Sequence, residues 1–172
     1  LGHAAFRIDT DAGKRIYVDP FLQNNPKTPD SEKQPERVDI IAVTHGHSDH
    51  AGETPELSKR FPDAQIVAQV EVKGWLGKQG ANVGELPGIN KGGTQEIDGI
   101  KFTLVNAHHS SSSDSGDYLG ESCGIVIRFH GPSLHSAGDP CVSGDLHLIA
   151  RLSKPPPAPA PSAAALPQRP PP

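Results

Sequence analysis

The sequence predicts a mixed α/β sandwich, and three observations carry that reading. Short β-branched runs alternate with turn signals; one run, "VDIIAVT", is nearly all apolar; and the segment after it changes to helical spacing before returning to strand. The chain has 172 residues, 34% hydrophobic and 21% charged. That is enough for one domain with a real core.

Taken in order, "AAFRID" and "RIYVDP" flank "TDAG" and predict a hairpin. "VDIIAVT" reads as a strand covered on both faces. "GETPELSKRF", with Leu57 and Phe61 at i and i+4, reads as a helix, and "AQIVAQV" as the strand that completes a βαβ unit. "VEVKGWLGKQG" is a short helix closed by Gly80, and "TQEIDGIKFTLVNA" is two strands around an Asp98-Gly99 turn. "CGIVIRFHGPSLHSAGD" is a further hairpin closed near His130-Gly131, and "SGDLHLIARL" is a helix with Leu146 and Ile149 on one stripe. Nine of the 18 prolines lie in residues 155–172, which hold no acid and no aromatic residue. The expectation is a domain over residues 1–154 and an extended, disordered Pro/Ala-rich tail over 155–172.

Composition narrows the partners. A net charge of -4 supplies no basic field for nucleic acid, and no run is apolar enough for a membrane span. Two cysteines, Cys123 and Cys141, are too few for a disulfide framework, so the cytoplasm is the default compartment and a small molecule the expected substrate.

"THGHSDHAG", residues 44–52, crowds His45, His47, Asp49 and His50 into six positions at the carboxyl end of the apolar strand, where open α/β sheets place their ligand sites. Neutral imidazole and carboxylate suit zinc and neighbouring divalent ions. His45 and His47, one residue apart in extended backbone, can share one ion; Asp49 and His50 can serve a second. A ligand set without cysteine favours an open, reactive site over a structural one.

"THGHSDH" resembles the metal-binding motif of the metallo-β-lactamase superfamily. "LGHAAFRID", "RIYVDPFL", "AHHSSS" and "AGD" followed by "GDLHLI" resemble, in the same order, a branch of small metal-dependent hydrolases related to bacterial sugar-phosphate lactonases. The resemblance runs from residue 1 to about 154 and implies an αββα sandwich with a binuclear site along one edge. It implies that His45, His47 and His109 hold the first ion, with His108 as the adjacent alternative to His109. Asp139 would bridge both ions, and Asp49 and His50 would serve the second. Asp19 either orients a ligand imidazole or caps a turn, and His3 either lines the pocket or lies on the surface. Ser110 to Ser113 and "DSGDYLGE" form a polar, substrate-facing loop.

The sequence also departs from that branch. His135 lies one residue before the position where the branch carries a histidine, so its side chain faces the other side of its strand. The branch continues into a strand, a helix and a late histidine, whereas here "LSKP" leads into proline and no histidine follows His147, itself a surface position on the last predicted helix. The fold is therefore expected to be truncated, incomplete in its C-terminal half, and to hold at most one ion tightly. The chemistry implied is attack by a metal-bound hydroxide on an ester, lactone, thioester or phosphodiester bond, with Asp49 orienting the hydroxide and zinc as the ion. The alternative is a truncated, catalytically inactive metal-binding pseudo-hydrolase. A di-iron oxygen-reducing relative is disfavoured because Ser48 stands where that group carries a carboxylate.

Overall fold

The computed structural model describes residues 1–131, 133–139, 141 and 143–153. Its first sheet takes the order β1 (Phe6–Asp9), β2 (Arg15–Val18), β3 (Ile40–Ala42) and β4 (Gln65–Val67). The β1–β2 pair is the expected antiparallel hairpin, whereas β2–β3 and β3–β4 are parallel. Parallel pairing needs crossovers, and these are supplied by α1 (Asp30–Lys33) and then by α2 (Ser48–Ala51) and α3 (Thr54–Arg60). β3 is apolar throughout because it is covered on both faces. Ile40 and Ala42 face the second sheet, while Ile41 faces the helices together with Tyr17, Ile66, Leu57, Val72 and Leu76.

The second sheet is antiparallel, in the order β5 (Thr94–Ile97), β6 (Ile100–Asn106), β7 (Cys123–Arg128) and β8 (Ser133–Ser136). Its first turn is Asp98-Gly99, with φ of 50° and 79°, the pair of left-handed residues that a two-residue hairpin of matching twist demands. Inward-facing Phe102, Leu104, Ile125 and Ile127 pack onto Ile16, Val18, Ile40, Ala42 and Val67 and form the core between the sheets. Phe102 is fully buried, and truncating it to Ala would cost about 3–5 kcal/mol.

Helix α4 (Val70–Lys78) lies on the outer face of the first sheet. It ends in paired bonds, Gly80 N–H to Gly77 O and Ala81 N–H to Leu76 O, which satisfy its last carbonyls. Lys73 on this helix is buried, and its Nζ donates to Ile66 O at 2.8 Å and Leu86 O at 2.6 Å. Burial pushes its pKa down to about 8. Helix α5 (Asp145–Ser153) follows β8, with Ile149 buried and Leu148 exposed. Among the described residues no helix is long and apolar enough to cross a membrane.

The sequence reading needs three corrections. Ser48–Ala51 is a helical turn of its own rather than loop, because His47 O accepts from both the His50 and Ala51 amides. The short helix α1 was not expected, and within "VDIIAVT" the regular strand is Ile40–Ala42, with backbone bonds to the neighbouring strands reaching Asp39 and Val43. The tail expected over residues 155–172, and its boundary at residue 154, lie outside the described residues.

Candidate metal centre

The carboxyl ends of β2 and β3 meet the ends of β6 and β8 and the start of β7 along one edge of the sandwich. Thr44, just beyond β3, joins them. Its carbonyl accepts from the Cys123 amide at 3.3 Å and the Cys123 thiol at 2.8 Å, which couples the first sheet to the second. Gly138 allows the end of β8 to come close. Its φ is +64°, and a Cβ there would stand 3.0 Å from Thr44 Oγ1, so a side chain would push Asp139 away from the site.

Three imidazoles form one side of the centre. Asp19 accepts from Thr44 N–H at 2.8 Å and from the Thr44 hydroxyl at 2.8 Å. That hydroxyl has one proton, and it goes to the carboxylate. The contact of 2.9 Å between Thr44 Oγ1 and His45 Nδ1 therefore requires His45 to donate, which leaves the lone pair on Nε2. This Nε2 points at His47 Nδ1, 3.0 Å away, and the His109 ring stands 5.0 Å from both His45 and His47 rings. A proton on His47 Nδ1 can bridge the two nitrogens. A divalent cation can take that proton's place, with His47 Nε2, 3.2 Å from Ser110 Oγ, then carrying the hydrogen.

Carboxylates dominate the other side. His50, fully buried, has Nε2 3.3 Å from Asp139 Oδ2 and 3.7 Å from Asp49 Oδ2. Its Nδ1 lies 3.0 Å from Asp19 Oδ2, off the direction of a hydrogen bond. His3 Nδ1 stands 3.6 Å from Asp49 Oδ2. Ligand atoms within 4.8 Å of one another define three overlapping groups: His45, His47 and His109; His45, His50 and Asp139; His3, Asp49 and His50.

The electrostatics differ accordingly. Burial, together with repulsion from His50, His47 and His109, pushes His45 down to about 2, so it is a neutral ligand. His47 is lowered chiefly by burial. For His50, burial works toward the neutral form, but the Asp19 charge and the Asp139 hydrogen bond outweigh it and raise the pKa to about 10. A divalent ion fits this donor set. Asp139 Oδ1 is buried with no hydrogen-bond partner, and a buried carboxylate oxygen left so is costly unless a cation meets it.

The structure brings His45, His47, Asp49, His50, His109 and Asp139 together, with Asp19 behind them and His3 at the mouth. It separates His108, whose side chain is 56% exposed and turns toward Asp145. Ser110 and Ser111 both reach the motif, and Ser111 Oγ accepts from Gly46 N–H at 3.1 Å while donating to Leu119 O at 3.1 Å. A Cβ on Gly46 would lie 2.4 Å from Leu119 Cδ1, so the loop after β6 packs directly on the histidine motif. His135 pairs across from Val126, opposite in facing to the inward Ile125 and Ile127, and takes no part in the groups above.

Sequence reasoning gave no role to Thr44 or Glu53. Thr44 fixes the His45 tautomer. The Glu53 carboxylate accepts from the amides of Leu22, Gln23 and Asn24 and so holds the loop after Asp19. For Thr44, adjacency to the motif was the only signal.

A family match and close relatives accompany this geometry. Residues 7–156 match the Beta-lactamase superfamily domain. A UPF0173 metal-dependent hydrolase from Herpetosiphon aurantiacus is 44% identical over 160 residues, covering 90% of this chain and 66% of that protein. Its counterpart from Koribacter versatilis is 41% identical, covering 90% of this chain and 67% of that one. The chain thus spans about two thirds of the length of these relatives. The solved structure of Igni18, a metallo hydrolase from Ignicoccus hospitalis, superposes with a TM-score of 0.73 at 30% identity, covering 90% of this chain and 65% of that one. A sandwich of two sheets, a histidine-aspartate motif at the end of β3 and relatives of this closeness agree: the chain belongs to the metallo-β-lactamase superfamily, among the UPF0173 metal-dependent hydrolases.

Proposed function

We propose that the chain is a metal-dependent hydrolase that cleaves an ester, lactone, thioester or phosphodiester bond of a small-molecule substrate, with zinc as its ion. The observation that carries this reading is the Nε2 lone pair of His45, fixed by Thr44 and Asp19 to point at His47 beside His109, with the carboxylates of Asp49 and Asp139 next to it. His45, His47 and His109 would hold the ion, and Asp139 lies near both His45 and His50. A divalent ion there supplies Lewis acidity, acidifying water and polarising the bond to be cut.

The remaining chemistry falls to side chains. Asp49, with a third of its side chain exposed, orients the attacking water and takes its proton. His50 is held by Asp19 and keeps Asp139 in place. The substrate approaches over a groove lined by His109, Ser110, Ser112, Tyr118 and Lys91, of which Tyr118 is 72% exposed. We place the reaction in the cytoplasm, where two free thiols are stable, and assign it no nucleic-acid or membrane partner, in keeping with a net charge of -4.

Asp49→Asn tests the assignment. It keeps size and removes the base, so turnover of an activated ester or of a bis-aryl phosphodiester should fall about 10²–10⁴-fold. Elemental analysis of the same variant should still find the ion held by the three imidazoles. Retained turnover overturns the reading.

A further inference from the structure

We propose that Tyr118 sets specificity: its ring is a platform on which a planar aromatic group of the substrate stacks beside the metal centre. The inference rests on the hydrolase reading above and names its substrate class. At 72% exposure Tyr118 is the most exposed large apolar side chain among the described residues, and it has no hydrogen-bond or ring partner among them. It lies on a groove of about 610 Å³, the size of a small-molecule site, and His109 lines the same groove. The charges of the groove are already paired. Lys91 Nζ donates to Glu121 Oε2 at 2.5 Å and to Asn106 Oδ1 at 2.7 Å, and His108 Nε2 stands 3.7 Å from Asp145 Oδ2. Recognition along the groove therefore falls to the ring and to the hydroxyls of Ser110 and Ser112 rather than to a free cation.

The platform is held still by its backbone. Tyr118 pairs with Ser112 across an antiparallel bridge, so the two side chains share one face of a small hairpin, opposite to Ser111 and Leu119. Backbone bonds run from Leu119 N–H to Ser111 O at 3.1 Å, from Ser113 N–H to Asp117 O at 3.0 Å and from Gly116 N–H to Ser113 O at 2.9 Å. At the tip, Asp117 Oδ2 accepts from the Ser115 hydroxyl at 2.8 Å and from the Ser113 hydroxyl at 3.0 Å. The root of the hairpin rests on the metal centre, where Ser111 holds Gly46 and Ser110 Oγ meets His47 Nε2 at 3.2 Å. After Tyr118 the chain passes close against the start of α4: Gly120 has φ +77°, and a Cβ there would lie 2.5 Å from Gln69 Oε1. The ring is thus fixed relative to His47 and His109, and little freedom is lost when a partner settles on it. A flat ring stacks there with a gain beyond burial alone, which an alkyl group of equal size lacks.

The test is calorimetric titration of the zinc-loaded full chain with phenylphosphonate, cyclohexylphosphonate and methylphosphonate. None of the three carries a bond that the chain is proposed to cut, so binding is read apart from turnover. Phenylphosphonate should bind about three- to tenfold tighter than the other two, the scale of one ring–ring contact. Tyr118→Ala should abolish that preference and Tyr118→Phe should keep it, while methylphosphonate binds alike to all three chains. A preference that survives in Tyr118→Ala, or is lost in Tyr118→Phe, would overturn the platform and leave the hydrolase reading intact. So would cyclohexylphosphonate binding as tightly as phenylphosphonate, a loss in Tyr118→Ala shared by all three probes, or equal or absent binding of the probes to the zinc-loaded parent. A parent chain that takes up no zinc would overturn both.

Discussion

On one side of His45 stand His47 and His109; on the other stand His50, Asp49 and Asp139, with Asp19 behind. The first side is made of imidazole nitrogens, wired from the rear by a chain that runs Asp19, Thr44, His45. The second gathers carboxylates around a single buried imidazole, which they hold protonated. Orientation governs the imidazole side, because a neutral lone pair binds only when it is aimed. Charge governs the acidic side, because a carboxylate attracts a cation from many directions. Removing one group should therefore be far more damaging on the imidazole side.

The sharpest break is His45→Ala or His47→Ala. Either variant should lose the tightly held ion, bringing the metal-to-protein ratio to background, and turnover with it. An unchanged ratio in both would dissolve the distinction between the two sides. A gentler probe is Thr44→Val, which keeps the shape of residue 44 and every ligand but removes the hydroxyl between Asp19 and His45. Metal affinity should fall about 10–100-fold, the usual scale when the support of a ligand is lost. If competition with a chelating dye shows no change, the tautomer does not depend on Thr44.

The smallest effect lies away from the site and serves as a control. Lys73 is fully charged in both folded and unfolded chains below its folded pKa of about 8, so the folded state carries the whole penalty of burying the charge there. As pH rises from about 8 toward the ordinary lysine value of 10.5, the folded chain releases this proton first, and stability contributed at this position increases. Urea midpoints of the parent should gain on those of Lys73→Met across that window. Parallel curves would show that Lys73 is not desolvated.

Much of the architecture was legible because it depends on neighbours in sequence. The Asp98-Gly99 turn, the closure of α4 at Gly80 and the covered strand at Ile40–Ala42 follow from local chemistry and from alternation. The histidine-aspartate motif was legible for the same reason. Which of His108 and His109 faces the motif was not, since it turns on how the loop after β6 docks through Ser111 onto Gly46; the His109 ring lies beside His45 and His47 and His108 turns toward Asp145. Asp49 and His50 were both expected on one loop, serving the same ion, with nothing to tell their burial apart. One helical turn, α2, buries His50 and leaves Asp49 partly in water. The setting of His3 was hidden most deeply, because it depends on Asn25 gripping Gly2 from a distant loop.

The double grip of Cys123 on the Thr44 carbonyl has a consequence for how the protein comes into being. Ribosomes deliver the chain from its N-terminus, so His45, His47 and His50 emerge long before His109, and Asp139 comes later still. His50 and Asp139 are 89 positions apart, and loops of that span close slowly. A nascent chain that has made only the first sheet carries exposed histidines without their aim or their counter-charges. Capture of an ion by these groups would thus belong to the end of folding, and an ion so held would act as a latch, since opening the seam between the sheets would also mean releasing it, at a free-energy cost that grows with the logarithm of its concentration.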